Sequence, residues 1–182
     1  MNLKLRFPGL LLRNCEVYND NQRVGSLKHG WSFFQQAIAQ YDTYKWEIKE
    51  KGFIKTKIQV IDKTSEQLIG KVTVNDKNNF LEIVGVKTRH IATMKTSEYL
   101  YTLVENPDIR SQYTWLNEDG GKSIYYDLTN LENTIFYAFK YNREGVAAIP
   151  DNSNKEQLAL FFLGIFLLRL RLLRFAAATS GD

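Results

Sequence analysis

Residues 158–168 read LALFFLGIFLL, a run without one polar side chain. A helix built on this run is apolar all round, so it has to be enclosed all round. Leu158, Phe161, Phe162, Ile165, Leu168, Leu172 and Phe175 share one face, and Leu160, Leu163, Leu167 and Leu170 occupy the opposite one. The run has a start signal: Ser153 and Glu156 form the S-x-x-E pattern in which each side chain satisfies a backbone amide of the other residue. Ala176, Ala177 and Ala178 prolong it, and a helix of about 24 residues, roughly 36 Å long at 1.5 Å per residue, is expected within 153–178.

Three environments would satisfy such a segment. A bilayer span needs about 20 apolar residues, so a span over 158–175 has to admit Arg169, Arg171 and Arg174, at about 2.5–3.5 kcal/mol each near the membrane centre. Residues 168–172, LRLRL, alternate as a terminal strand would. The third environment is the inside of a β-barrel, and the rest of the chain favours it. Strand-like runs fall at 3–7, 10–18, 22–28, 31–40, 44–49, 53–61, 67–74, 79–86, 98–104, 111–116, 123–128 and 133–141. They recur at the spacing of an all-β barrel or sandwich. The stretch 33–40 is the least secure of these, since FFQQAIAQ also suits two turns of helix. Eight strands leave room only for side chains or a small ligand, whereas about twelve can close around a helix 10–12 Å across. The expected fold is therefore mainly β: a closed antiparallel barrel of about twelve strands over 1–149, wrapped around a hydrophobic C-terminal helix. At 182 residues this is a single domain, able to build its core without staples.

One hairpin can be read in register. Tyr44, Trp46 and Ile48 alternate with Lys45, Glu47 and Lys49; Ile54, Thr56, Ile58 and Val60 alternate with Lys55, Lys57 and Gln59. A three-residue loop, Glu50-Lys51-Gly52, sets Ile48 opposite Ile54 and Tyr44 opposite Ile58 on the buried face, with Glu47 opposite Lys55 and Lys45 opposite Lys57 outside. A weak repeat runs through the strands. Val17-Tyr18-Asn19-Asp20 leads to Val24-Gly25-Ser26-Leu27, and Val60-Ile61-Asp62-Lys63 leads to Ile69-Gly70-Lys71-Val72. A glycine inside a strand marks a bulge or a close approach of another backbone. A third hairpin, Tyr113-Thr114-Trp115 to Ile124-Tyr125-Tyr126, turns at 117–121.

These features together resemble the tubby C-terminal-like superfamily, which includes the LURP-one-related proteins and the phospholipid scramblases. The residues that carry the resemblance are the two apolar-Gly-x-apolar returns, Trp115 before Asp119-Gly120-Gly121, and the run at 158–168. The likeness implies a closed twelve-stranded barrel threaded by its C-terminal helix. It further implies phosphoinositide or membrane-surface binding in some members, and no known activity in many. The proline-rich extension and cysteine cluster of the scramblases have no counterpart in this sequence.

The residues offer little catalytic chemistry. His29, before Gly30-Trp31, reads as a turn residue, and His90, in Lys87-Thr88-Arg89-His90, as an edge or loop. Cys15 is the only cysteine, which excludes an internal disulfide and a multi-thiolate zinc site; it reads as a structural thiol. Asp20, Asp62, Asp76, Asp108 and Asp119 fall at turns, where aspartate bonds its own backbone. With no G-x-G-x-x-G and no Walker sequence, no cofactor is expected. The apolar run near the start, 10–12, is too short for a signal-peptide core, so the expectation is an intracellular, cytoplasmic protein, associated with membranes if its basic face is used.

The surface feature carried forward is the set Lys45, Lys49, Lys51, Lys55 and Lys57, most of them on one face of the hairpin, in a chain of net charge +4. Such a face suits lipid phosphate, while a solvated strand that lysines protect from edge pairing is the plain alternative. Single-stranded nucleic acid is disfavoured, because strand alternation buries the aromatics beside these lysines. A second basic set, Arg169, Arg171 and Arg174, marks where the helix has to leave the barrel, at about Leu168. The leading expectation is a non-enzymatic binding or interaction module for anionic phospholipid or a protein partner. The alternatives are a protein anchored by 158–175 in a bilayer and an enzyme whose site gathers residues distant in sequence.

Overall fold

A computed structural model describes residues 1–8, 13–30, 36–51, 57–75, 80–83, 86–106, 109, 111–129 and 143–179, with residues 51, 80–83, 86–87 and 172–179 described by their backbone. The strands are β1 (Asn2–Phe7), β2 (Asn14–Asn19), β3 (Gln22–His29), β4 (Gln36–Tyr41), β5 (Tyr44–Lys51), β6 (Lys57–Asp62) and β7 (Leu68–Val74). They continue as β8 (Phe80–Ile83), β9 (Val86–Lys95), β10 (Leu100–Glu105), β11 (Gln112–Leu116), β12 (Lys122–Asp127) and β13 (Arg143–Ala148), and one helix follows, α1 (Lys155–Thr179). Every pairing is antiparallel; β1 bonds β13 on one side and β2 on the other, and β9 bonds both β7 and β10. Twelve strands thus close into a ring, leaving no free edge in it. The short β8 pairs with Val86–Arg89 on the part of β9 that β7 does not reach.

The helix runs inside this ring. From Leu158 to Leu170 every residue is buried, and Leu160, Phe161, Phe162, Leu163 and Phe166 are wholly enclosed. The expected central helix is therefore present, and the terminal-strand reading of 168–172 is overturned, since those residues continue α1. The exit also lies later than Leu168: Arg169 is 7% exposed and Leu170 6% exposed, so an arginine is carried into the barrel. The wall makes room with small inward residues. Ala37 and Ala39 on β4, Gly145 and Ala147 on β13 and Ala92 on β9 are all buried. Among the described residues, no helix is long and apolar enough to cross a membrane.

The helix start is displaced by one residue from the expected cap. Asn154 Oδ1 accepts from the Gln157 amide at 2.9 Å, and Gln157 Oε1 accepts from the Asn154 amide at 3.0 Å. This is the reciprocal arrangement expected of Ser153 and Glu156, made instead by the next pair along. Ser153 Oγ donates to the Pro150 carbonyl at 2.6 Å.

The glycines of the repeat sit where the ladder breaks. Gly25 lies at the bulge between Val17 and Tyr18, and Gly70 at the bulge between Val60 and Ile61. A Cβ at Gly25 would be 2.8 Å from the Gln40 carbonyl oxygen and 3.0 Å from Phe162 Cζ, and one at Gly70 would lie 2.5 Å from Met94 Cε. Both expectations for a strand glycine, bulge and close approach, hold at both positions. The third hairpin pairs as read, with Trp115 opposite Ile124 and Tyr113 opposite Tyr126.

Other expectations need correction. In β5–β6, Ile48 faces Val60 and Trp46 faces Asp62, so the strands pair in a different register from the one drawn through Gly52. The shift is by an even number of positions, so Trp46, Ile48, Ile58 and Val60 stay inside. Tyr44, at the strand end, is 38% exposed. Two strands were missed. β13 points Gly145 and Ala147 inward and leaves Val146 exposed, which inverts the usual apolar alternation. β9 contains His90 and carries a bulge where Ala92 and His90 face Leu103 and Val104, interrupting the period of two. The run expected at 133–141 lies outside the described residues.

Candidate functional site

Three charged regions come out of this architecture: the two ends of the barrel and its outer wall. At the end where the helix enters, Asp62 closes β6 with its side chain buried. Its carboxylate accepts from the Thr64 amide at 2.9 Å and from Ser65 Oγ at 2.6 Å, and pairs with Lys155 at the first turn of α1. Burial opposes ionisation, but the bonds from Lys155, Ser65 and Thr64 outweigh it and hold the pKa of Asp62 at about 2. Lys155 also lies 5.6 Å from the centroid of the Tyr44 ring. Asp62 is thus both the turn residue expected from sequence and a latch on the helix.

At the exit end, the basic residues face inward-pointing side chains of the wall. Arg171 donates to Glu105 Oε2 at 2.7 Å and lies 5.5 Å from the Tyr113 ring centroid, while Arg89 approaches the same carboxylate at 3.8 Å. Burial, then the neighbouring charge of Arg13, pulls the pKa of Arg169 down to about 10. His29 ends β3, and its ring stacks on Phe166 with centroids 5.3 Å apart and planes 11° from parallel. Both its ring nitrogens are buried, without a hydrogen-bond partner among the described residues. Burial, with Arg169 and Arg13 adding repulsion, lowers its pKa to about 3, so it is neutral near pH 7. His29 is therefore a hydrophobic stopper rather than a turn residue. Arg174 falls where only the backbone is described.

Neither end assembles a nucleophile with a base among the described residues. Among the described residues His29 has no hydrogen-bonded partner, and Glu105 is held by arginines. His90 is on β9, not in a loop, with Nε2 2.8 Å from Thr93 Oγ1 and Nδ1 3.2 Å from Asn75 Nδ2. Cys15 is buried, and burial pushes its thiol far above the ordinary value, the opposite of what a nucleophile needs. Among the described residues no group of His, Cys, Asp or Glu is placed to hold a metal ion.

The outer wall is where the expected lysines lie. Lys45 and Lys57 are exposed on β5 and β6. Lys49 pairs with Glu47 of its own strand at 3.3 Å, and Gln36 Nε2 donates to the other oxygen of that carboxylate. The cross-strand pairs Glu47–Lys55 and Lys45–Lys57 are not formed in the observed register; Glu47 faces Ile61 instead. Lys51 is registered directly opposite Lys57, and Lys55 lies outside the described residues. Sequence reading missed that the lysines continue across the sheet. Lys71 on β7 is registered opposite Lys95 on β9, and both are exposed. The signal was present in the alternation Lys71-Val72 and Met94-Lys95, but pairing β7 with β9 required knowing that β8 steps aside. No family model, curated protein or solved structure matches the chain. The class of protein is set by the fold alone: a closed twelve-stranded barrel filled by its own C-terminal helix.

Proposed function

We propose that this chain is a tubby-like, non-enzymatic binding module that meets anionic phospholipid headgroups with the outer wall of its barrel, in the cytoplasm at a membrane surface. The observation that carries the proposal is a like-charge register on the outer wall, where exposed Lys71 stands opposite exposed Lys95. Like charges directly opposite across a sheet are destabilising, and a bound anion removes that penalty. The filled interior adds support, because apolar helix side chains occupy the space in which a barrel would otherwise hold a small ligand. The barrel around a C-terminal helix is also the fold that the resemblance implies. Co-sedimentation of the full chain with phosphatidylcholine vesicles, with and without phosphatidylserine, tests this reading. Preferential pelleting with the anionic vesicles, weakened by added salt, is expected; equal and negligible pelleting with both sinks it.

A further inference from the structure

We infer that the protein docks on an anionic bilayer through one specific part of its wall, with the β9–β10 turn entering the headgroup layer and Lys71 and Lys95 lying on lipid phosphate. The inference rests on the binding reading above and adds an orientation and residues to it.

The row of outward positions Gln59, Lys71, Lys95 and Leu100 runs straight across β6, β7, β9 and β10. It holds two exposed lysines that join no ion pair among the described residues, and it ends on Leu100, which is 39% exposed. Beside Leu100 stands Tyr99, 51% exposed. A tyrosine and a leucine displayed next to lysines are the residue types that partition into the bilayer interface while cations meet its negative potential. A nucleic-acid surface would set its aromatics among the cations, whereas Tyr99 and Leu100 lie at the border of the row.

The display is built in. Thr96 is buried, and its hydroxyl accepts from the Tyr99 amide at 2.9 Å and the Glu98 amide at 3.3 Å. The Thr96 amide in turn donates to the Tyr99 carbonyl at 2.9 Å. The Tyr99 ring lies against Tyr101, with centroids 6.1 Å apart. The turn is therefore ordered before binding, so docking does not have to order it. Glu98, exposed in the same turn, is the one opposing charge within it.

The test is vesicle binding by the full chain and two surface variants, each checked for an unchanged circular dichroism melt. Lys71→Gln/Lys95→Gln should bind phosphatidylserine-containing vesicles about 30-fold more weakly, from about 1 kcal/mol per lysine near an anionic surface. Tyr99→Ser/Leu100→Ser should weaken binding about tenfold and leave a remainder that salt abolishes. If the wild type binds and neither variant differs from it, the docking face is elsewhere and only the broader reading survives. If the wild type prefers neither vesicle, both fall. Tighter binding to a single-stranded oligonucleotide than to vesicles, unaffected by Tyr99→Ser/Leu100→Ser, overturns the bilayer in favour of nucleic acid.

Discussion

Gly164 sits in the middle of α1, where glycine costs a helix about 1 kcal/mol relative to alanine. In an unobstructed helix, Gly164→Ala would stabilise the protein. Here a Cβ would overlap the Tyr126 hydroxyl and lie 2.5 Å from Tyr126 Cζ and 2.8 Å from Trp115 Nε1, all in fully buried side chains. The Tyr126 hydroxyl donates to the Phe161 carbonyl at 2.8 Å, so the helix has been notched to admit it. Overpacking of this kind costs about 1–3 kcal/mol. Pushing Tyr126 aside also leaves its buried hydroxyl unsatisfied, for about 1–3 kcal/mol more. Against a gain of about 1 kcal/mol in helix propensity, Gly164→Ala should destabilise by about 1–5 kcal/mol. The midpoint of a thermal melt should fall by roughly 2–20 °C at this chain length. Urea unfolding followed by tryptophan fluorescence gives the free energy directly. Tyr126→Phe should cost about 1–3 kcal/mol alone, and the double variant should lose at least about 0.5 kcal/mol less than the sum, because both changes break one bond. Wild-type or greater stability of Gly164→Ala would refute the packing argument, as would strict additivity with Tyr126→Phe.

Truncation after Pro150 removes α1 and exposes the apolar inner wall, so the remaining strands should lose their cooperative melt by circular dichroism; a truncated chain with an intact sharp transition would show the helix to be dispensable. Asp62→Asn weakens the latch on Lys155 and should cost about 1.5–3 kcal/mol at pH 7, the range for hydrogen bonds to a charged group, read by urea unfolding. Because the pKa of Asp62 is lowered from 3.8 to about 2, its share of stability is present above 3.8 and fades as pH falls through 2, so the gap between wild type and Asp62→Asn should narrow there. His29 has its pKa lowered from 6.5 to about 3, so the unfolded chain takes up its proton first. Stability should be full above pH 6.5 and fall on acidification toward 3, by at most about 1.4 kcal/mol per pH unit; His29→Phe should flatten that slope, and an unchanged slope would show that the imidazole is not held neutral.

Much of this protein is legible in its sequence where composition and local chemistry act alone. Residues 158–168 have no polar side chain, so enclosure on all sides was required whatever the partner. Gly25 and Gly70 announced bulges because a glycine inside a strand marks a broken ladder or a close neighbour, and each has one, the Gln40 carbonyl at Gly25 and Met94 with the Lys95 carbonyl at Gly70. Trp46, Ile48, Ile58 and Val60 declared their face by alternation, and this survived the wrong register because an even shift keeps the face.

What tertiary structure alone decided is how the parts meet. β13 was invisible because its buried positions are Gly145 and Ala147, small to fit a helix that the strand itself cannot anticipate. The pairing of Lys71 with Lys95 depends on β7 bonding β9 rather than the strand that follows it in sequence. The burial of Arg169 depends on the height of the wall around the helix, and His29 becomes a stopper only because Phe166 arrives against its ring. Periodicity along a chain reports which side of an element is apolar; it does not carry the distance between elements, and those distances set the charges that this barrel buries and the ones it displays.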